Sequence, residues 1–199
     1  MHIAIVLYDG FDELDAIGPY EVFQNAADAG AACETSLRRV DGSGFVTASH
    51  GLRVEADGLL ADVDPDLLVV PGGGWNDRSS ASAWAEAQRG TIPDAIASLH
   101  EGGCAVAGVC TGGMLLAEAG ILDGRPAVTH AGALADLRET AADVIEARVV
   151  DDGDVLTAGG VTSGLDLALH LVEREFGSEV ADAVGTEMEY ERRGIVHRG

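Results

Sequence analysis

The sequence predicts an α/β domain whose mainly parallel sheet is covered by helices on both faces. Three observations predict it. Short, wholly apolar runs such as Leu67 to Val70 read as strands buried on both sides. Segments with helical apolar spacing alternate with those runs along the chain. Hydrophobic residues make up 47% of the 199, enough for a core and too many for wholesale disorder. One domain spanning residues 1–199 is expected for this length, with residues 191–199 a loose tail.

Taken in order, His2 to Leu7 is an apolar run ended by Asp9-Gly10 and reads as the first strand. Gly18-Pro19 opens a helix that turns Val22, Phe23, Ala26 and Ala27 inward and stops before Gly30. Residues 33–40 read as a second strand and residues 45–54 as a hairpin. The strand Leu67 to Val70 runs into Pro71-Gly72-Gly73-Gly74. Residues 77–101 read as helical with a break at Pro93, and Ile92, Ile96 and Leu99 are their spaced apolar positions.

Cys104 to Val109 is a strand, followed by a helix from Thr111 to Ala119 with Gly120 past its end. Ala127 to Thr129 reads as a short strand, and Leu134 with Leu137 as a small helix. Arg148 to Val150 and Val155 to Thr157 flank a turn rich in Asp and Gly, a hairpin signal. Leu165, Ala168, Leu169 and Val172 mark a periodic helix ending at Gly177. Val180, Val184 and Met188 mark a last one.

Composition narrows the function. Acidic residues number 34 and basic residues 12, for a net charge of −22, and every basic residue is Arg. Such a chain is a poor partner for nucleic acid or an anionic membrane. The absence of Lys excludes a P-loop lysine, a Schiff-base lysine and a pyridoxal phosphate enzyme. The acids are spread between apolar segments, so the surface repels itself unless counterions screen it, and a very salty cytoplasm is the expected setting. The chain opens MHIAIVLYDG, with no basic leader, and holds no apolar run of membrane length, which predicts a soluble cytoplasmic protein.

The sharpest chemical signal is Gly108-Val109-Cys110-Thr111-Gly112, set between a strand and a helix. That is the context of a nucleophile elbow, where a tight turn lifts one side chain above the strand ends. The following helix aims free N–H groups at the sulfur and should favour the thiolate. Pro71-Gly72-Gly73-Gly74 also follows a strand, so Gly73, Gly74 and Gly112 are expected to offer backbone N–H groups to substrate or oxyanion beside that of Thr111. Asp15 stands between apolar residues as either an exposed helix cap or a buried partner. His130 follows the short strand. Cys33 and Cys104 read as core, and no histidine pair has metal-ligand spacing, so no metal is expected.

Together, ELDAIGPYEVF, VVPGGG, AGVCTGGMLLAEAGIL, AVTHAGAL and DDGDVLTAGGVTSGLDLALHLVE resemble the ThiJ/PfpI superfamily, relatives of the class I glutamine amidotransferases. Within it the chain looks most like the isocyanide hydratase branch and the ligand-binding half of AraC-type regulators. The resemblance implies a flavodoxin-like three-layer sandwich, a homodimer, a nucleophile at Cys110 and its partner acid at Asp15. Thr111 matches the hydratase branch, whereas peptidase members carry His there. Ala131 follows His130 where that branch commonly shows Trp.

The expected function is that of a hydratase or lyase whose Cys110 attacks a small electrophile, best matched by conversion of an isocyanide to an N-substituted formamide. Asp15 carries the proton and Thr111 positions a reactant. Two alternatives stand beside it. One is a glyoxalase- or deglycase-like enzyme acting on dicarbonyls through Cys110 and His130. The other is a redox or ligand sensor reading Cys110. The expected partner is a small-molecule substrate, with no cofactor.

Overall fold

The computed structural model describes residues 1–199. The chain runs β1 (His2–Val6), α1 (Glu13–Asp28), β2 (Glu34–Arg39), β3 (Phe45–Thr47), β4 (Arg53–Glu55), β5 (Gly58–Leu59) and β6 (Leu67–Val70). Next come α2 (Ala83–Arg89), α3 (Thr91–Glu101), β7 (Ala105–Val109), α4 (Gly112–Glu118), β8 (Pro126–Ala127), α5 (Leu134–Arg138) and β9 (Asp143–Val144). Last are β10 (Val149–Asp152), β11 (Val155–Ala158), α6 (Ser163–Phe176), α7 (Ser178–Glu187) and β12 (Val196–Arg198).

Eight strands form one sheet in the order β12-β10-β11-β7-β6-β1-β2-β5, and only the β10–β11 pairing is antiparallel. The all-apolar runs of β1, β6 and β7 occupy its centre, where both faces are covered. Helices α1, α6 and α7 pack together, and α2, α3 and α4 form a second group. From β1 the chain steps first to β2 on one side and later to β6 on the other. The strand order therefore reverses between β1 and β6, where the carboxyl ends of an open α/β sheet leave a crevice for ligands.

Four local expectations are corrected. Helix α1 begins at Glu13, because Asp12 caps it by accepting the Leu14 N–H at 3.2 Å. Pro19 therefore sits inside the helix, where its missing N–H removes only the bond to the Asp15 carbonyl. The break between α2 and α3 falls at Gly90, whose φ of +80° closes α2; Pro93 occupies the third position of α3, where no intrahelical N–H bond is required. Residues 77–82 are not helical. The short strand after α4 ends at Ala127 and pairs only with β9.

The fourth correction concerns residues 191–199, which are not loose. Val196–Arg198 add to the open edge of β10, and the Gly199 N–H reaches the Asp151 carbonyl at 3.0 Å. An exposed strand edge offers unpaired backbone groups, and this segment satisfies them.

Candidate active site

Cys110 closes β7 with φ of +57°, a left-handed conformation that a residue with a side chain rarely adopts. Its N–H is shared between the carbonyls of Ala158 (3.1 Å) and Gly159 (3.0 Å), and its carbonyl accepts the buried Thr129 hydroxyl at 2.9 Å. These bonds fix the elbow. Gly112 is required by close packing: a Cβ there would lie 2.0 Å from the Val70 carbonyl oxygen, so the helix after the elbow could not approach β6.

The loop after β6 is tied to both neighbours. Gly72 accepts the Asp12 N–H at 2.8 Å and donates its own N–H to Asp15 Oδ2 at 3.0 Å. Gly73 donates to Thr111 Oγ1 at 2.9 Å. The expected oxyanion role of Gly73 is corrected accordingly, since its N–H is committed to Thr111. Gly73, Gly74 and Thr111 line a cavity of about 140 Å³ with Cys110, beside Asp12, His130 and Val161. Gly112 does not line it. Trp75, Asn76 and Asp77 form the remaining wall.

Asp15 is not an exposed cap. It is 0% exposed in the first turn of α1, close enough to Cys110 for each to act on the other's ionisation. Burial holds its carboxyl well above the usual carboxylate range, and the charge of Asp12 adds to that. Oδ1 is buried with no hydrogen-bond partner, and Oδ2 takes the Gly72 N–H, so Oδ1 is the atom free to carry a proton.

The thiol behaves differently from the sequence expectation. Burial first, then the charge of Asp15, push Cys110 up to about 12. The N–H groups of Val161 and Thr111 pull it down by less. The expectation of a resting thiolate is corrected: α4 is only a two-turn helix, and its N-terminal field does not offset desolvation of a buried sulfur. Burial thus favours the protonated form of both Asp15 and Cys110.

His130 enters the same cavity, but its Nδ1 accepts the Gly132 N–H at 3.0 Å, and it makes no hydrogen bond to Cys110. That bond leaves Nε2 as the protonated nitrogen of the neutral ring. Cys104 is buried and Cys33 half-buried, both away from the cavity.

Sequence reasoning missed three site features. Val161, with φ of +31°, brings its N–H to the sulfur from a loop read only as a tight turn. Asp12 lines the cavity and raises its neighbours' affinity for protons. Its position just before a helix start was the available signal. His50, read as isolated, meets Glu13 at 2.7 Å and lies with Asp12 in a surface cluster whose ligand atoms fall within 4.8 Å of one another. A divalent cation would find oxygen and nitrogen donors there. No helix is long and apolar enough to cross a membrane.

The sequence pattern of the DJ-1/PfpI family matches residues 1–174. An isonitrile hydratase of Pseudomonas putida is 32% identical over 192 residues, which cover 96% of this chain and 78% of that protein. A deglycase of Thermococcus kodakarensis is 30% identical over 159 residues, covering 77% of this chain and 87% of that one. Among solved structures, a ThiJ/PfpI family protein from Pseudomonas syringae superposes with a TM-score of 0.85 at 26% identity, over 96% of this chain and 76% of that chain.

Proposed function

The chain belongs to the DJ-1/PfpI family, and from that premise we propose that it is a cysteine-nucleophile hydratase converting an isocyanide to an N-substituted formamide. The observation that carries the proposal is the buried pair of Asp15 and Cys110. An isocyanide carbon must gain both a nucleophile and a proton. A thiol and a carboxylic acid whose protonated forms are favoured by burial supply both from one place.

The Cys110 sulfur bonds to the terminal carbon while the pair gives that carbon one proton, and Asp15 retains the other. The product is a thioimidate on Cys110. Water then adds to the same carbon; Asp15 gives its proton to the nitrogen and takes one from the water. The C–S bond breaks as the new hydroxyl proton returns to sulfur, releasing the formamide. Thr111, whose oxygen already accepts the Gly73 N–H, keeps its hydroxyl proton to orient water or substrate in the cavity.

A second reading, deglycase-like action on dicarbonyls, is favoured by His130 lining the same cavity and by the deglycase relative. Incubation with an aryl isocyanide and, separately, with methylglyoxal distinguishes the two. Formamide release with a trapped Cys110 adduct of the isocyanide is expected. Consumption of methylglyoxal with no formamide formed would replace the hydratase reading with the deglycase one.

A further inference from the structure

We propose that Arg148 and Thr162 are positioning residues that hold the Val161 N–H against the Cys110 sulfur. The proposal rests on Cys110 being the nucleophile, and it concerns how the developing thiolate is met by a backbone donor.

Val161 is a β-branched residue at φ of +31°. Such a conformation persists only where the surroundings fix it. Two contacts from one residue bracket the turn that contains it. The Arg148 carbonyl accepts the Gly159 N–H at 3.0 Å on one side. The Arg148 Nη2 donates to Thr162 Oγ1 at 3.1 Å on the other. Thr162 stands at the N-cap of α6, yet its side chain makes no capping bond. Its hydroxyl is used on Arg148 instead.

Arg148 is itself held. Its Nε donates to Asp166 Oδ2 at 2.5 Å, and Asp166 is only 4% exposed. The Tyr190 hydroxyl (2.9 Å) and the Arg193 N–H (2.7 Å) complete the coordination of that carboxylate. Gly194 packs on the Arg148 stem, where a Cβ would come within 3.1 Å of it. The segment expected to be loose therefore clamps the residue that shapes the catalytic loop. A planar guanidinium suits this task because it reaches two acceptors in fixed directions.

The charged and titratable groups that bear on Cys110 are Asp15 and Asp12 at the start of α1, Tyr8 after β1 and His130 after β8. None of them touches Arg148 or Thr162.

The test is the rate at which iodoacetamide alkylates Cys110 in the intact folded chain, followed by peptide mass spectrometry between about pH 8 and pH 10, where rate tracks the thiolate fraction. Thr162→Val removes the acceptor at an exposed position. Arg148→Lys keeps the charge opposite Asp166 but loses the fork. Each is expected to slow alkylation by about threefold to tenfold at every pH, the size of one hydrogen bond, shifting the profile to higher pH. Thr162→Ser restores the parental rate. Parental alkylation in Thr162→Val, or equal slowing in Thr162→Ser, overturns the proposal. Turnover by Cys110→Ser is read separately: if that variant keeps full activity while the alkylation shift is present, the nucleophile reading falls and the positioning role stands.

Discussion

Asp15 and Cys110 act on one another inside the protein, although one lies in the first turn of α1 and the other just past the end of β7. The carboxyl is wholly buried, and its charge makes the Cys110 thiol harder to ionise. The backbone that joins them is Gly72, which binds the start of α1 through both its N–H and its carbonyl.

Replacing the sulfur should end the chemistry. Cys110→Ser is expected to abolish isocyanide turnover, while Cys33→Ser and Cys104→Ser retain most of it. Only Cys110 opens onto the cavity. Steady-state rates on the three variants check this, and a comparable loss at Cys104 would contradict the site assignment.

Asp15→Asn preserves shape and an acceptor for the Gly72 N–H but removes the transferable proton. Turnover should fall by about 10²–10⁴-fold, the usual range for general acid–base catalysis. The charge of Asp15 raises the Cys110 thiol, so its removal should speed alkylation of Cys110 by iodoacetamide. Turnover within about threefold of the parent would remove Asp15 from the catalytic machinery.

The thiol also leaves a signature in stability. Folding moves Cys110 from 9.0 up to about 12, so the native state keeps its proton where the unfolded chain loses it. Stability linked to this group is therefore intact below pH 9 and declines as pH rises toward about 12. Cys110→Ser abolishes that linkage and should gain about 1.4 kcal/mol on the parent at about pH 10 relative to neutral pH. Melting curves at the two pH values measure it; a stability difference that does not change with pH counts against the shift.

His130→Ala should leave formamide production within about threefold of the parent, because His130 makes no hydrogen bond to Cys110 and is assigned no proton transfer. A loss of two orders of magnitude in the isocyanide assay would give His130 the proton-transfer role instead.

Salt should stabilise the protein. Twelve basic residues cannot neutralise 34 acidic ones, so the surface repels itself. Raising KCl from about 0.1 M to about 1 M shortens the screening length from about 10 Å to about 3 Å. The melting temperature is expected to climb across that range, and a fall would argue against adaptation to high salt.

The sequence alone determined the order of strands and helices through the period of its apolar residues, a signal carried by neighbours along the chain. The elbow at Cys110 was legible for the same reason: a strand, a tight glycine-flanked turn and a helix are local. So was the anomaly of an acid between Leu14 and Ala16, though not its depth. The start of α1 was misplaced because Pro19 is a strong local start signal and Asp12 a quieter one. Residues 191–199 read as loose because their polar composition conceals what backbone pairing to β10 supplies.

The ionisation of the site depends on contacts between distant parts of the chain. Local sequence shows a helix N-terminus behind Cys110 and so suggests a thiolate. Burial, and the approach of Asp15 from another part of the chain, reverse that preference, because the cost of an unsolvated charge depends on everything that encloses it. The Val161 N–H belongs to the same category. Nothing in its neighbours along the chain points to Cys110; the pairing of β11 with β7 sets the two loops side by side.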